Sequence, residues 1–211
     1  MDRPGRGASM TAPPRSIVVC VAGASGSIYA KRLLTLLADV REGRIEGMDP
    51  MPQLRVAWTA SSNAAVCWKG ELDEPMPESL HGFRRYGHKD FGAPFASGSN
   101  APDAVIVAPC SMSTLARLAH GGGGDLLSRA GEVALKERKT LILLARETPL
   151  SLVHLRNMVA VTEAGAVVMP AIPSFYAGVK SLEQAVDSVV LRALDHAGLR
   201  LPLLPRWGDD A

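Results

Sequence analysis

The sequence is short of cysteine and of long apolar runs. Its 211 residues include three cysteines, Cys20, Cys67 and Cys110, whose wide separation does not match the spacing of metal ligands. Cys20 and Cys110 fall in apolar segments, so we expect buried thiols in a reducing cytoplasm and no bound metal. No apolar stretch approaches the roughly 18–20 residues that a membrane-spanning helix needs, which argues against a membrane protein.

The chain also lacks an excess of charge of one sign. Its 23 Lys and Arg residues nearly balance 21 Asp and Glu residues, giving a formal net charge of +2. This balance argues against a nucleic-acid partner. Residues 1–15 contain Arg3, Arg6 and Arg15 but no hydrophobic region, so they predict a disordered tail rather than a secretory signal. Residues 16–211 are enough for one well-buried domain.

The most informative stretch lies at the start of this domain. Residues 17–22 are apolar and mostly β-branched, which predicts a buried parallel strand. Gly23 and Gly26 then form a tight turn, and from Ile28 to about Val40 the leucines recur with helical spacing. A strand that enters a helix through a glycine turn exposes backbone N–H groups beside the positive end of the helix dipole. We therefore predict a phosphate-bearing ligand at this turn.

The spacing of the glycines bears on which ligand binds. Gly23-x-x-Gly26 is not the Gly-x-Gly-x-x-Gly pattern of a dinucleotide site. The second predicted strand, residues 54–60, ends in Ser61, Ser62 and Asn63 instead of the Asp or Glu that would hold the ribose of NAD. Neutral hydroxyls and an amide favour a mononucleotide or a flavin over NAD.

The rest of the chain alternates predicted strands and helices. Strands are expected at 84–89 (an edge strand), 104–108, 140–144 and 166–169, and helices at 63–68, 115–120, 150–163 and 182–197. Asp125 should cap a further helix that runs to Lys136, whereas residues 91–102 are too polar and too small for a core element. This order predicts an α/β fold, a single-domain, Rossmann-like, doubly wound and mostly parallel sheet with helices on both faces.

In such a fold ligands bind where the strands end. That rule places five segments on one rim of the sheet: residues 23–26, Ser61, residues 110–114, the pair Arg146 and Glu147, and the loop that holds Tyr176. Arg129 and Lys136 are seven residues apart on one predicted helix, hence on one face and about 10.5 Å apart along its axis.

Several motifs in one order give the sequence a resemblance to a known family. It resembles the UbiX family of flavin prenyltransferases over about residues 16–208, through the motifs VAGASG (21–26), ASGSNAP (96–102), APCSMSTLA (108–116), SRA (128–130), VALKER (133–138), ARETPL (145–150) and LPRWG (204–208). Two features depart from the family pattern: the four glycines at 121–124, and Asp125 where Asn is usual. The negative charge of Asp125 could weaken anion binding or alter a subunit interface.

The resemblance implies a reaction. Reduced FMN, the acceptor substrate, is alkylated at N5 and then at C6 by the dimethylallyl group of dimethylallyl monophosphate, without a metal. The product, prenylated FMN, serves UbiD-type decarboxylases. The resemblance also implies a homododecamer with its sites between subunits. A flavin-dependent decarboxylase of the same fold and a non-catalytic flavin carrier remain as alternatives.

The resemblance further implies which residues form the site. The FMN-contacting positions are Gly23, Ala24, Ser25, Ser61, Ser111, Met112, Ser113, Thr114 and Arg146. The substrate-binding positions are Glu71, Ser97, Arg129, Lys136, Tyr176, Arg192 and Trp207, and Phe91 adds an aromatic wall. Ser25, Lys136 and Glu147 are the catalytic candidates. Cations are needed here because loss of phosphate from an allylic ester separates charge, which fixed donors stabilise where water is excluded.

Overall fold

A computed structural model of the chain describes residues 14–205 and residue 208. Across these residues seven strands and six α-helices follow one another in the order β1 Ser16–Val21, α1 Ser27–Glu42, β2 Arg55–Ala60, α2 Ala64–Leu72, β3 Ser79–Leu80, β4 Phe83–Tyr86, β5 Ala104–Cys110, α3 Met112–His120, α4 Leu126–Lys136, β6 Thr140–Ala145, α5 Leu152–Glu163, β7 Val167–Pro170 and α6 Leu182–His196. Two short 3₁₀ turns, Pro94–Ala96 and Gly98–Asn100, precede β5.

The strands form one sheet in the order β3-β4-β2-β1-β5-β6-β7. Only β3 is antiparallel to its neighbour, β4, among the pairings of the described strands. The six parallel strands thus follow the doubly wound order, with the reversal of strand order between β1 and β5. The predicted fold class is confirmed, and the reversal marks the place where this fold type binds ligands.

The central strand β1 is buried on both faces, and its side chains alternate between two cores. One core contains Ile17, Val19 and Val21 and is covered by α1, α2 and α6. The other contains Val18 and Cys20 and is covered by α3 and α4, with Val161 of α5. Cys20 and Cys110 are fully buried free thiols, and burial raises the pKa of Cys110 to about 12.

Three expectations about the elements before β5 were wrong. The helix predicted at 63–68 continues to Leu72, so Glu71 is helical. The predicted edge strand is β4, which lies one position inside the sheet because the two-residue strand β3 covers its outer side. Residues 91–102 do contribute to a core, since Phe95 is buried and packs edge-to-face on Tyr86 with ring centroids 5.3 Å apart. Small neighbours let this aromatic ring reach the sheet.

The predicted tail, residues 1–15, lies almost wholly outside the described residues. Arg15 is described, and its backbone N–H donates to Asp103 while its carbonyl accepts from Arg55. None of the helices in the described part of the chain is long and apolar enough to cross a membrane.

Candidate functional site at the strand ends

Backbone hydrogen bonds join neighbouring strand ends into one continuous rim. Ser61 N–H donates to Val21 O at 2.9 Å, linking the ends of β2 and β1. Ala22 N–H donates to Pro109 O at 3.2 Å, and Arg146 N–H donates to Cys110 O at 3.1 Å. These bonds bring together the segments that follow β2, β1, β5 and β6, as the sequence predicted.

The turn after β1 needs its glycines for steric reasons. A Cβ on Gly23 would lie 2.8 Å from the Asn63 Cβ, so the turn can pack against the end of β2 only without a side chain. Gly26 has φ of +115°, a left-handed conformation that favours glycine. The turn therefore holds Ser25 close to the loop that contains Ser61.

A carboxylate already occupies the helix N-terminus beside this turn. Glu71 on α2 accepts hydrogen bonds from the backbone N–H of Gly26 (2.9 Å) and of Ser27 (2.7 Å). Burial alone would raise the pKa of Glu71, but the hydrogen bonds from Gly26 and Ser27 outweigh it and lower that pKa. Since these N–H donors are taken, the anion site predicted at the start of α1 is filled by the protein itself. Glu71 nevertheless lies where the resemblance needs it, beside Ser25.

A second helix N-terminus on the rim carries a cluster of hydroxyls. Ser111 caps α3 by accepting from Thr114 N–H at 3.3 Å, and its Oγ lies 3.0 Å from Thr114 Oγ1 and 3.2 Å from Ser113 Oγ. The first N–H groups of a helix precede its internal hydrogen bonds, and the dipole favours an anion there. This cluster, Ser111, Ser113 and Thr114, is a suitable phosphate-binding group next to the reversal of strand order.

Arg146 and Glu147 leave the end of β6 with exposed side chains. The Arg146 charge opposes the pKa rise that burial causes at Tyr29 on α1, so its guanidinium is near the start of that helix. Glu147 accepts a local hydrogen bond from Thr148 N–H at 3.1 Å. Both side chains can therefore reach a ligand on the rim.

Two of the predicted substrate-binding residues, Ser97 and Lys136, lie away from the rim. Helix α4 starts near the end of β4, where Leu126 N–H donates to His88 O, and runs about 16 Å to the opposite edge of the sheet. Lys136 ends that helix, next to Ser97 and Gly98, and forms an ion pair with Glu137. Arg129 lies in the first turn of α4, nearer the rim, and donates from Nε to Ala96 O at 2.8 Å. Within one protomer, Lys136 thus lies near the start of β6 and Glu147 follows its end, so the two residues are at opposite ends of the strands.

Tyr176 and Arg192 meet in a third place. They line a groove of about 330 Å³ beside α6 and the C-terminal segment, together with Arg200 and Asp195. Ser174 N–H donates to Ser188 Oγ at 3.2 Å and ties the Tyr176 loop to α6. Arg192 pairs with Asp195 at 3.4 Å. Trp207 is outside the described residues, and Phe91 is about half exposed.

Sequence reasoning missed two arginines near these groups. Arg117 on α3 contacts Thr114, and Arg200 lines the groove of Tyr176. The spacing of three residues between Thr114 and Arg117 was a usable signal, because such residues share one helix face. Arg200 follows α6 in an irregular segment, where no periodicity indicates its direction.

The rim fits a flavin mononucleotide. Hydroxyls, free helix N–H groups and the Arg146 cation suit a phosphate. The end of β2 offers Ser61 instead of a carboxylate, so the contact that would favour NAD is lacking at this strand end of the described chain.

Comparison with known proteins agrees with this geometry. A family model described as Flavoprotein matches residues 7–194. A flavin prenyltransferase UbiX from Methanocaldococcus jannaschii is 42% identical over 193 residues, covering 91% of this chain and 98% of that protein.

Two solved structures are similar in both fold and sequence. AnUbiX (PadA1) in complex with FMN and dimethylallyl pyrophosphate has a TM-score of 0.81 and 39% identity, with 92% of this chain and 97% of that chain covered. A dodecameric FMN-dependent UbiX-like decarboxylase from Escherichia coli O157:H7 has a TM-score of 0.78 and 34% identity, with 91% and 98% covered.

Proposed function

The chain belongs to the UbiX-like family of flavin prenyltransferases, and from this premise we propose that it prenylates reduced FMN with dimethylallyl monophosphate. The transfer breaks the carbon–oxygen bond of the allylic ester and joins the allyl carbon to flavin N5, which gives up its proton. A ring then closes at C6, which loses its proton while the alkene gains one. Phosphate leaves with both electrons of the broken bond. The observation that carries the proposal is the hydroxyl cluster at α3, set beside the glycine turn where the strand order reverses.

The rim supplies the flavin half of the site. Ser111 and Ser113 bind the flavin phosphate at the start of α3, supported from behind by the buried Thr114, and Arg146 adds a cation. Gly23, Ala24, Ser61 and Met112 line the flavin with backbone and small groups. Ser25, held near Glu71 by the turn, faces N5.

The cations that hold the allylic phosphate come from more than one protomer in this proposal. Lys136 lies at the far end of α4 from the rim that carries Glu147, so a site that uses both residues needs a second copy of the chain. An exposed apolar face on α5, with Leu152, Val153 and Val159, supports association. The E. coli relative is a dodecamer by name, and we propose the same homododecamer here.

Each cationic or polar group then has one task. Arg129, Lys136 and Arg192 stabilise the charge on the departing phosphate, as fixed cations do in a site closed to water. Tyr176, Ser97 and Glu71 position the ester, and the resemblance assigns Trp207 to the same group of residues. Glu147 accepts or returns the protons that move during ring closure.

The use of the product and the location of the protein are further parts of the proposal. We propose that prenylated FMN passes to a UbiD-type decarboxylase and that residues 16–211 act as one flavoprotein domain behind a short tail. Free thiols at Cys20, Cys67 and Cys110 suit a reducing compartment, so we place the protein in the cytoplasm.

Two measurements test the proposal. Titration of FMN with the protein should quench the flavin fluorescence. NAD should not compete with FMN for the site, since Ser61 replaces the ribose-binding carboxylate. Anaerobic incubation with reduced FMN and dimethylallyl monophosphate should then give a flavin heavier by one C5H8 unit. Tight NAD binding without FMN binding contradicts the flavin site. FMN binding with turnover of a cysteinyl peptide or an aromatic acid, and no prenylation, supports the decarboxylase instead.

A further inference from the structure

Arg117 connects the hydroxyl cluster of α3 to the start of α4. Its Nη2 donates to Thr114 Oγ1 at 3.2 Å, and its Nε donates to Ser128 Oγ at 3.3 Å. Nη2 also lies 3.5 Å from Asp125 Oδ2. Thr114 and Ser128 are fully buried, so these contacts form behind the rim and not on it.

Asp125 has two roles in this arrangement. Its Oδ1 accepts from Ser128 N–H at 2.7 Å and caps α4, while its other oxygen faces Arg117. The Asp125 carboxylate is mostly buried and is compensated by the guanidinium. The concern that its charge weakens anion binding is therefore answered by Arg117, which cancels that charge next to the cluster.

The contacts of Arg117 also fix the geometry of the cluster. A guanidinium donates and cannot accept, so Thr114 Oγ1 is an acceptor toward Arg117 as well as toward Ser111. Holding Thr114 holds Ser111, which in turn accepts from Thr114 N–H and contacts Ser113. The cluster is thus locked from behind by one cation, whose charge lies one turn from the helix N-terminus.

We propose that Arg117 is a positioning residue for the flavin phosphate, acting through Thr114 and Ser111, and that Asp125 holds Arg117 in place. This inference rests on the proposed function, because it assigns the phosphate of FMN to the start of α3. It predicts a selective effect. Loss of Arg117 weakens binding of FMN, which carries the phosphate, but not of riboflavin, which lacks it.

The test compares the two ligands across variants of the full-length protein. Arg117→Met keeps the apolar stem and should weaken FMN binding about tenfold, the effect of one lost charge-assisted contact, with riboflavin nearly unchanged. Arg117→Lys keeps the charge and should restore part of the preference for FMN over riboflavin. Arg44→Ala is the matched control, since Arg44 pairs with Asp39 far from the rim.

A double-mutant cycle tests the role of Asp125. Asp125→Asn keeps a good cap for α4 but removes the charge that faces Arg117. Asp125→Asn should lower the ratio of FMN affinity to riboflavin affinity about threefold. This effect should vanish in the Arg117→Met background, because the two substitutions act through one contact.

The outcomes separate this inference from the proposed function. If Arg117→Met lowers the melting temperature but leaves the ratio of FMN to riboflavin affinity unchanged, the inference is overturned. Arg117 is then only a structural link between α3 and α4. A wild-type protein that binds FMN no better than riboflavin overturns it too. If the ratio changes as expected but no prenylated flavin forms, the positioning role stands and the proposed reaction fails.

Discussion

Arg32 on α1 and Asp187 on α6 form a two-point ion pair between the helices that flank one face of the sheet. Nε donates to Oδ1 at 2.6 Å and Nη2 donates to Oδ2 at 2.8 Å, and the Asp187 side chain is only 10% exposed. The pair joins the helix that follows the glycine turn to the helix that carries Arg192. The geometry of two parts of the proposed site therefore depends on it.

Removing Asp187 should destabilise the fold. Asp187→Ala removes both charge-assisted hydrogen bonds of the partly buried Arg32 guanidinium, so we expect a loss of about 2–3 kcal/mol in the free energy of unfolding. Glu183 provides a matched control, because it faces the same guanidinium at 3.9 Å but is 74% exposed. Glu183→Ala should cost less than about 0.5 kcal/mol. Urea denaturation at one fixed protein concentration measures both, and equal losses would contradict the buried-pair explanation.

The second prediction concerns the cap that Glu71 places on α1. Glu71→Gln keeps the shape but loses the charge at the positive end of the helix, which should cost about 1 kcal/mol at neutral pH. The pKa of Glu71 is lowered in the folded protein below its ordinary value of 4.5. Its contribution is therefore complete above the unfolded pKa and is lost as the pH falls through the folded pKa.

Thermal unfolding at a series of pH values tests this sign. The difference in stability between wild type and Glu71→Gln should be constant at neutral pH and should shrink below about pH 4.5. Asp103 is a useful comparison, since its pKa is also lowered. Its replacement should reduce the stability above its folded pKa independently of Glu71, and this second difference should also shrink on acidification. A difference that grows on acidification would rule out the cap as the cause.

Much of the fold could be predicted because periodicity and turn chemistry act locally. The apolar run before Gly23, the leucine spacing of α1 and the cap at Asp125 each depend on neighbours in sequence, and each was confirmed. The rim could be predicted as well, because parallel strands bring their ends to one edge.

The remaining features depend on contacts that no local pattern encodes. Glu71 occupies the N-terminus of α1 from 45 residues away, and nothing in its own segment indicates that destination. Phe95 enters a core through a loop rich in small residues, where composition predicts exposure. Whether Lys136 and Glu147 lie at the same end of the strands depends on the direction in which α4 crosses the sheet. That direction follows only from the three-dimensional arrangement.

That arrangement leads to a prediction about mixed oligomers. If one site takes Lys136 from one protomer and Glu147 from another, Lys136→Ala and Glu147→Gln oligomers should each form almost no ring-closed prenylated flavin. Unfolded, mixed in equal amounts and refolded together, they should recover roughly one quarter of the sites, since each intact site needs one protomer of each kind in the right places. The amount of ring-closed prenylated flavin per protomer, measured by NMR at the C6 position, gives the recovery.

The control for this experiment is the double variant with both substitutions in one chain. Refolded with wild type, the double variant also gives mixed oligomers, and the wild-type protomers in them keep both residues. An equal mixture of the two single variants contains no protomer with both residues intact. Activity in the single-variant mixture therefore has only the shared site as its source. No recovery, despite mixed oligomers seen by native mass spectrometry, would place both residues in one protomer's site.

The last prediction concerns Glu147, whose exposed carboxylate at the end of β6 has only a local hydrogen bond among the described residues. As a surface charge, Glu147→Gln would change the rate no more than about twofold, because exposed charges contribute well under 1 kcal/mol. As the acid–base group of ring closure, its loss should slow that step roughly 10²–10⁴-fold. FMN affinity should stay the same, because the amide keeps the shape and Arg146 is intact.

The slow step can be identified as well as its rate. If Glu147 serves ring closure alone, the first bond to N5 still forms in Glu147→Gln, and phosphate is released at nearly the wild-type rate in a single turnover. The flavin should then keep its C6 proton, which NMR detects, since the open and closed products have the same mass. Glu163→Gln, at the exposed end of α5, is the matched control and should behave as wild type. Ring closure at the normal rate in Glu147→Gln would remove Glu147 from the proton transfer and leave it as a surface charge.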